Sequence, residues 1–274
     1  MIRLLNNNDK QTVLEYICRN DIETSFLYAN VIRVGLENDR ETRRCADYYG
    51  YFEETGLSGI LPFYNLGSCI PHYESEQAIA LFAQIMKETK FEYLLGMARL
   101  VRPLYQSIRD FKKIKVCNES CYFINRGLTP FKAEGIEFRE ASEAACDDSL
   151  LDFLVRVRNV GFHENVSRED ELKRLSNDPE EDAVIAIANG KPVAFANIQT
   201  YTKSLSQIGS VYTEEAERGK GYCKAVVSEV CRRIALRGKI PALFARKNNE
   251  PALKAYTAIG FEPFDDYLFV ELEV

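Results

Sequence analysis

The stretch that most constrains the fold is a glycine-containing turn leading into an amphipathic helix, "EEAERGKGYCKAVVSEV", residues 214–230. Gly219 and Gly221 let the backbone turn freely and approach a ligand closely. The first amide N–H groups of a helix have no partner inside it, so with the helix dipole they form an anion site. Arg218 and Lys220 add positive charge beside that site, which suits a diphosphate. The apolar stripe of the helix has a period of 3.6 residues and consists of Tyr222, Val226, Val227, Val230, Cys231 and Ile234.

Spacing excludes two common phosphate-binding motifs at this turn. A nucleotide P-loop needs a glycine five positions before Gly219 and a Ser or Thr after Lys220, and the sequence has neither. The dinucleotide fingerprint G-x-G-x-x-G needs a third glycine where Lys224 stands. Taken alone, "RGKG" favours a capped surface turn over a phosphate site.

Composition and charge exclude several other classes of protein. The chain has 274 residues and a net charge of −6, which argues against a nucleic-acid-binding surface. No stretch approaches the roughly 18 apolar residues of a membrane span. The first residues, "MIRLLNNNDKQ", lack the apolar core of a signal peptide. We therefore expect a cytoplasmic protein that binds neither nucleic acid nor membrane, as a monomer or a homodimer.

The eight cysteines are scattered, so we expect reduced, mostly buried side chains and no disulfide framework. Cys117 and Cys121 have loose metal-ligand spacing, but no second cysteine pair follows them. The chain has only two histidines, so the sequence predicts no metal site.

A break in the pattern predicts two domains, residues 1–130 and residues 131–274. The stretch "NRGLTPFKAEG" (125–135) combines Gly, Pro and charge between two more ordered runs. After it we predict the order strand, helix, helix, three strands, helix, strand, helix, strand. The first half has a similar predicted order with little sequence identity to the second: two helices, a hairpin and then alternating helices and strands. This order favours an internal duplication and an α/β (α+β) fold.

A second motif, "NNEPALKAYTAIGF", predicts a helix that begins after Asn249 and ends at Gly260. Together, the two motifs resemble those of the GNAT superfamily of acyl-CoA-dependent N-acetyltransferases, most specifically over about residues 183–264. The family's phosphate motif, [QR]-x-x-G-x-[GA], corresponds to Arg218, Gly221 and Cys223, where Cys replaces Gly or Ala. Its second motif, N-x-x-A-x-x-x-Y-x-x-x-G-F, is met in full by Asn249, Ala252, Tyr256, Gly260 and Phe261.

The resemblance implies two GNAT-like domains, each a mixed, mostly antiparallel twisted sheet flanked by helices. It also implies acetyl-CoA as the co-substrate, with its pantetheine between two diverging strands. Tyr256 would give a proton to the leaving thiolate, and Asn249 would contact the cofactor arm. The other implied cofactor-binding residues are Val211, Tyr212 and Thr213 on the strand, then Arg218, Gly219, Lys220, Gly221, Tyr222 and Cys223 at the glycine turn.

The sequence leaves the general base and the acceptor open. His163 and Glu164 follow the first helix of the second half and are candidates for the base, and water is the alternative. The acceptor is an amine on a small molecule or a peptide. A different interpretation is a non-catalytic GNAT-like module that holds acyl-CoA or a peptide without turnover.

The first half lacks the phosphate motif. At the corresponding place stands "LGSCIPHYESEQAIALF", in which His72 has no partner pattern. We therefore predict a degenerate GNAT-like half that binds no coenzyme A and shapes either the acceptor pocket or the interface with the second half.

Overall fold

The computed structural model describes residues 1–177 and 183–273, which form one mixed sheet flanked by helices. The helices are α1 (Lys10–Arg19), α2 (Ser25–Val34), α3 (Gln77–Glu88), α4 (Ala98–Ile108), α5 (Asp148–Arg156), α6 (Arg168–Asn177), α7 (Tyr222–Leu236) and α8 (Glu250–Thr257). The strands are β1 (Ile2–Leu4), β2 (Ala46–Glu53), β3 (Gly56–Tyr64), β4 (Ser68–Cys69), β5 (His72–Tyr73), β6 (Tyr93–Met97), β7 (Ile114–Ile124), β8 (Ile136–Glu140), β9 (Val184–Ala188), β10 (Lys191–Tyr201), β11 (Leu205–Thr213), β12 (Ile240–Arg246) and β13 (Glu262–Leu272).

The sheet is mostly antiparallel and has the order β1-β2-β3-β4-β6-β13-β7-β12-β11-β10-β9-β8, with β5 paired to β3. Each half contributes one parallel pair, β4 with β6 and β11 with β12. The fold class predicted from the sequence is confirmed. The element order predicted for residues 136–273 is also present, and the short strands β1, β4 and β5 are additions.

The last strand of each half lies among the strands of the other half. Strand β7 lies between β12 and β13, and its Tyr122 pairs with Phe244 of β12. Strand β13 also pairs with β6, where Leu268 is opposite Gly96. The strands therefore cross the domain boundary predicted at residue 130, and the division into two domains stays a prediction.

Helix α7 anchors the half that carries the glycine turn. Its apolar stripe packs on one face of β10, against Ala194 and Ala196. Helix α5 covers the opposite face through Phe153, which packs near Phe195 of the same strand. Because both faces of β10 are covered, the ends of β11 and α7 lie against a packed core.

Candidate active site

A cleft of about 790 Å³ opens beside the end of β11, where this strand diverges from β12. The two strands pair in parallel from Leu205 with Ile240 to Ile208 with Leu243. Beyond that point β11 pairs with β10, whereas β12 pairs with β7. The divergence implied by the resemblance is therefore present, and β11, α7 and α8 all contribute residues to the lining of the cleft.

A bulge sets the path of β11 at the cleft. The register with β10 shifts between the pair Phe195–Tyr212 and the pair Asn197–Gly209, so β11 carries one extra residue. Ser210, inside this bulge, has a φ of 48°, in the left-handed region. A bulge leaves backbone groups unpaired and turns the strand. The backbone around Val211 thereby becomes available to a ligand in the cleft.

The glycine turn adopts the left-handed conformations that its sequence predicts. Gly219 has a φ of 81° and Gly221 a φ of 87°. The first helical hydrogen bond of α7 runs from the Ala225 amide to the Gly221 carbonyl, at 3.0 Å. The amides that precede Ala225 therefore have no acceptor inside the helix. A Cβ at Gly219 would meet no atom of the described residues within 4 Å, so this side of the turn is open to them.

The two cations predicted beside the turn have partners on the protein. Arg218 donates from Nε to the Thr213 carbonyl at 3.4 Å. Lys220 donates to Glu217 at 2.8 Å, and Lys220 is absent from the lining of the cleft. The ion pair explains this difference from the sequence prediction, because it directs the ammonium of Lys220 toward Glu217.

Cys223 lines the cleft in the first turn of α7, at the position where the GNAT motif has Gly or Ala. Burial raises the pKa of its thiol to about 11. The thiol is therefore neutral near pH 7, and its side chain packs against the apolar cluster beneath α7.

The side-chain amide of Asn249 caps a helix with its oxygen and leaves its nitrogen available to a ligand. Its Oδ1 accepts from the Ala252 amide at 3.3 Å, which caps the start of α8 as predicted. Its Nδ2 donates to none of the described residues, and Asn249 lines the cleft. One donor thus remains for a ligand.

Tyr256 is 6% exposed and packs with Phe261, at 6.0 Å between ring centroids. It lines the cleft, and its hydroxyl makes no hydrogen bond to any residue within 1–177 or 183–273. Burial raises the pKa of this phenol above its ordinary value of 10.0, with smaller contributions from Cys223 and Cys231. The hydroxyl is therefore a proton donor throughout the physiological range.

His163, and not Glu164, lies at the rim of the cleft. The turn that carries it begins in a π-helical turn, Val157–Gly161, and His163 has a φ of 57°. Glu164 donates its amide to the Arg158 carbonyl at 3.1 Å and is not part of the lining. Of the two candidate bases, His163 is thus part of the cleft lining and Glu164 is not.

Several lining residues were not predicted from the sequence. A Cβ at Gly161 would lie 2.6 Å from the Tyr212 ring, so a glycine allows this close approach. Helical spacing could have predicted some of these residues, since Lys224 is three positions after Gly221 and Ala252 is four positions before Tyr256. The unpredicted residues are Val160, Gly161, Glu217, Lys224, Pro251, Ala252, Lys254 and Ala255.

Across residues 1–177 and 183–273, no helix has the length and apolar character needed to cross a membrane. The same residues contain no group of three or more His, Cys, Asp or Glu side chains arranged to hold a metal ion.

Known proteins resemble this chain in fold. A family model described as FR47-like protein matches residues 187–270, and no curated protein matches the sequence. A GCN5-related N-acetyltransferase from Sphaerobacter thermophilus is similar with a TM-score of 0.63 and 14% identity, over 99% of this chain and 95% of that chain. An acetyltransferase of the GNAT family from Colwellia psychrerythraea has a TM-score of 0.60 and 15% identity over 100% of both chains. The chain has the fold of the GNAT superfamily.

The GNAT fold extends over both halves. A tandem GNAT protein from the clavulanic acid biosynthesis pathway has a TM-score of 0.53 and 12% identity, over 98% of this chain and 97% of that chain. The resemblance predicted from the sequence, including the tandem arrangement, is confirmed. At sequence identities of 12–15%, these structural similarities show the fold alone.

The first GNAT-like half differs from the second at the corresponding gap between strands. Tyr73 of β5 is 5% exposed and donates its hydroxyl hydrogen to the Leu100 carbonyl of α4, at 2.9 Å. The turn before α3 carries Glu74 and Glu76, with Ser75 accepting from the Gln77 amide at 3.3 Å. In the first half, an aromatic side chain and two carboxylates thus occupy the positions that correspond to the cleft and the glycine turn of the second half.

Proposed function

We propose that the chain is an N-acetyltransferase that transfers an acetyl group from acetyl-CoA to a primary amine. The observation that carries this proposal is the cleft itself. It gathers the diverging end of β11, the open glycine turn before α7 and the Tyr256 hydroxyl in one place. The GNAT fold supports acyl transfer in general, and the cofactor and the amine acceptor are our proposals.

Unpartnered polar groups at the cleft fit the coenzyme. The Thr213 hydroxyl is buried and has no hydrogen-bond partner among residues 1–177 and 183–273. Asn249 Nδ2 donates to none of the described residues, and the amides of 219–223 precede the first hydrogen bond of α7. A buried polar group without a partner costs about 1–3 kcal/mol, so the Thr213 hydroxyl favours a polar ligand, while the exposed Asn249 amide is available to one without that cost. Within the set proposed to bind the cofactor, Lys220 fits least well because of its ion pair with Glu217.

The chemistry assigned to the protein is polarisation and proton transfer. The coenzyme supplies an activated acyl thioester. Backbone N–H groups at the bulge around Val211 would stabilise the negative charge that develops on the carbonyl oxygen. Tyr256 would donate its proton to the departing sulfur. Burial raises the pKa of Tyr256, so the phenol keeps its proton at neutral pH and has it available for the departing sulfur.

The amine must lose a proton before it attacks, because an alkylammonium has a pKa near 10. His163 lies at the rim of the cleft and is the side chain that fits this step, with water as the alternative. The acidic net charge of the chain, −6, favours a cationic acceptor on a small molecule or a peptide. All eight cysteines are free, which fits the reducing cytoplasm that we propose as the location.

A free-thiol release assay over a panel of amines tests the proposal. The panel covers polyamines, amino acids, aminoglycosides and peptides with free amino groups. We expect thiol release that depends on both acetyl-CoA and one class of amine, together with thermal stabilisation by millimolar coenzyme A. Thermal stabilisation by coenzyme A without thiol release for any amine would favour the non-catalytic module. The absence of both stabilisation and thiol release would overturn both interpretations.

A further inference from the structure

The rim loop, residues 159–166, joins α5 to α6 and is closed by one side chain. Asn159 donates from Nδ2 to the Val166 carbonyl at 2.9 Å, and its Oδ1 accepts from the Val166 amide at 2.8 Å. Both polar groups of this side chain are therefore used to join the first residue of the rim loop to the last.

The rim loop is also fixed to its neighbours. The Phe162 amide donates to the Arg158 carbonyl at 3.2 Å, and the Arg158 guanidinium lies 3.6 Å from the buried carboxylate of Glu171 in α6. A Cβ at Gly161 would lie 2.6 Å from the Tyr212 ring of β11, so the backbone of the loop packs closely on that ring. Hydrogen bonds, an ion pair and close packing thus give the rim loop a defined path.

The rim loop lies across the sheet from the glycine turn. It follows α5, which covers one face of β10, whereas α7 covers the other face. Both sides contribute to the cleft, with Val160 and His163 from the rim loop and Gly221 and Tyr222 from the start of α7. A coenzyme held at the glycine turn would therefore meet an acceptor that enters past the rim loop.

The part of the rim loop that lines the cleft is mostly apolar. Val160 is 58% exposed and lines the cleft, although a valine gains by contact with an apolar group. His163 is the one titratable side chain that the loop adds to the described lining, because Glu164 is not part of it. The loop thus offers an acceptor one apolar contact and one proton acceptor.

The charges of the cleft disfavour a second ammonium on the acceptor. Within the described lining, the cations are Arg218, Lys224 and Lys254, and the one carboxylate is Glu217. This carboxylate pairs with Lys220 at 2.8 Å. A second ammonium would therefore approach like charges, and the carboxylate of the lining is already paired. The cleft thus differs in sign from the whole chain, whose net charge is −6.

We propose that the acceptor is a monoamine with an apolar substituent, and that Asn159 is a positioning residue that holds Val160 and His163 where they meet it. This inference rests on the proposed function and narrows its acceptor. The amine nitrogen bonds to the acyl carbon and the carbon–sulfur bond breaks. The nitrogen loses two protons, one to His163 or water and one that replaces, through solvent, the proton given to sulfur by Tyr256.

Pentylamine and 1,5-diaminopentane test the substrate class, because they have the same carbon chain and differ by one amino group. Thiol release from acetyl-CoA gives kcat/KM for each, counted per amino group. We expect about tenfold higher kcat/KM for pentylamine. 5-Amino-1-pentanol, which has an uncharged polar end, should fall between the two. An equal or higher kcat/KM for the diamine would overturn the inference.

Val160→Asp places a carboxylate on the rim loop and should shift the preference toward the diamine by about tenfold. Val160→Ala is the matched control, since it removes the apolar contact and adds no charge. We expect it to weaken the reaction of pentylamine and to leave that of the diamine unchanged. An unchanged preference in Val160→Asp would show that the acceptor does not pass Val160.

Asn159→Ala tests the positioning role. We expect the KM for pentylamine to rise about fivefold while the Kd for coenzyme A changes by less than about twofold. Hydrogen exchange of the backbone amides in residues 160–166 should become faster. Asn159→Asp keeps an acceptor for the Val166 amide and should give a smaller rise in KM.

Asn65→Ala is the control for a purely structural effect. Asn65 of the first half also closes a loop, by donating from Nδ2 to the Asp39 and Thr42 carbonyls at 2.8 and 2.9 Å. It is not part of the lining of the cleft, so its KM for pentylamine should match the wild type. Equal rises in KM for Asn65→Ala and Asn159→Ala, or no rise in Asn159→Ala, would overturn the positioning role.

The inference and the proposed function fail in different ways. Thiol release with diamines and polyamines but not with pentylamine would overturn the inference and leave an acetyltransferase. Stabilisation by coenzyme A without thiol release for any amine would overturn the proposed reaction, and the inference with it.

Discussion

The two glycines of the turn before α7 have different surroundings. Both have left-handed backbone conformations, which strain any residue that carries a Cβ. A Cβ at Gly219 would meet open space, whereas one at Gly221 would meet the Phe131 ring at 3.0 Å. Backbone strain therefore applies at both positions, and crowding applies at Gly221 alone.

We predict that Gly221→Ala destabilises the protein more than Gly219→Ala. Strain costs about 1–2 kcal/mol at either position. The contact with Phe131 adds about 1–3 kcal/mol at Gly221. Urea denaturation of the two variants measures the difference in free energy of unfolding, and equal losses would show that the ring does not confine Gly221.

The Cys223 thiol should react slowly with alkylating reagents. Burial raises its pKa to about 11, compared with 9.0 for a free thiol, so little thiolate is present at pH 8. We expect alkylation of Cys223 to lag behind that of exposed Cys146, to speed up as the pH rises toward 11, and to slow further with coenzyme A bound. Mass spectrometry of alkylated peptides gives both rates. Equal rates for Cys223 and Cys146 at pH 8 would contradict this account.

Motif spacing located most of the candidate site at the level of residues, and it missed Lys224 of α7, which also lines the cleft. The GNAT-like motifs predicted Tyr256 and Asn249, and both line the cleft. Sequence proximity favoured Lys220 over Lys224. The choice depends on an ion pair to Glu217 and on a ring far away along the chain, at position 131. Neither contact can be read from local spacing.

At the level of secondary-structure elements, a buried polar cluster joins the connection between α1 and α2 to the rest of the first half. The ring of His72 is hydrogen-bonded through Nδ1 to the Tyr16 hydroxyl at 2.6 Å and through Nε2 to Glu23 at 3.2 Å. Glu23 also pairs with Arg99 of α4. His72, which showed no partner pattern in the sequence, thus has two partners contributed by α1 and by the connection after it.

We predict that Glu23→Gln destabilises the protein by about 2 kcal/mol at pH 7, because it removes the carboxylate charge that contacts the buried His72 ring and the half-exposed Arg99. Burial acts to raise the pKa of Glu23, but hydrogen bonds from His72 and Arg99 hold it below its ordinary 4.5. A depressed pKa stabilises the fold above pH 4.5, and this stabilisation is lost as the pH falls through the lower, folded value.

Urea denaturation of the wild type and Glu23→Gln at several pH values checks this sign. The gap in free energy of unfolding should be constant near neutral pH and shrink below about pH 4.5. A gap that stays the same at pH 7 and at pH 3.5 would show that the carboxylate charge contributes nothing to the fold.

Periodicity predicted the long elements and could not predict the shortest strands. Helix α7 carries a full apolar stripe, and the N-cap Asn249 marks the start of α8. Strands β4 and β5 contain two residues each, which is too short for any alternation to be recognised. Tertiary pairing with β3 and β6, rather than local sequence, determines them.

For the molecule as a whole, the exchange of last strands makes the two halves depend on each other. Strand β7 pairs with β12 and β13, both from the second half. Strand β13 in turn pairs with β6 of the first half. Alternating patterns in β7 and β13 predict two strands, but the pattern does not say which neighbours each one takes. The exchange was therefore not predicted from the sequence.

We predict that neither residues 1–130 nor residues 131–274 fold alone into a stable unit. The first fragment would leave both edges of β7 unpaired, and the second would lack the strand between β12 and β13. Circular dichroism and thermal denaturation of the two fragments, with the full chain as the reference, test this. Mixing the fragments should restore structure. Cooperative unfolding of residues 131–274 by themselves would instead support two independent domains.

Tyr256→Phe provides the most direct test of the central claim, which is that the cleft beside β11 holds acetyl-CoA with Tyr256 as the proton donor. The substitution removes one unpartnered hydroxyl and keeps the ring against Phe261, so cofactor binding should survive. We predict that kcat for thiol release falls about 100-fold while the Kd for coenzyme A changes by less than about twofold. An unchanged kcat in Tyr256→Phe would contradict the account.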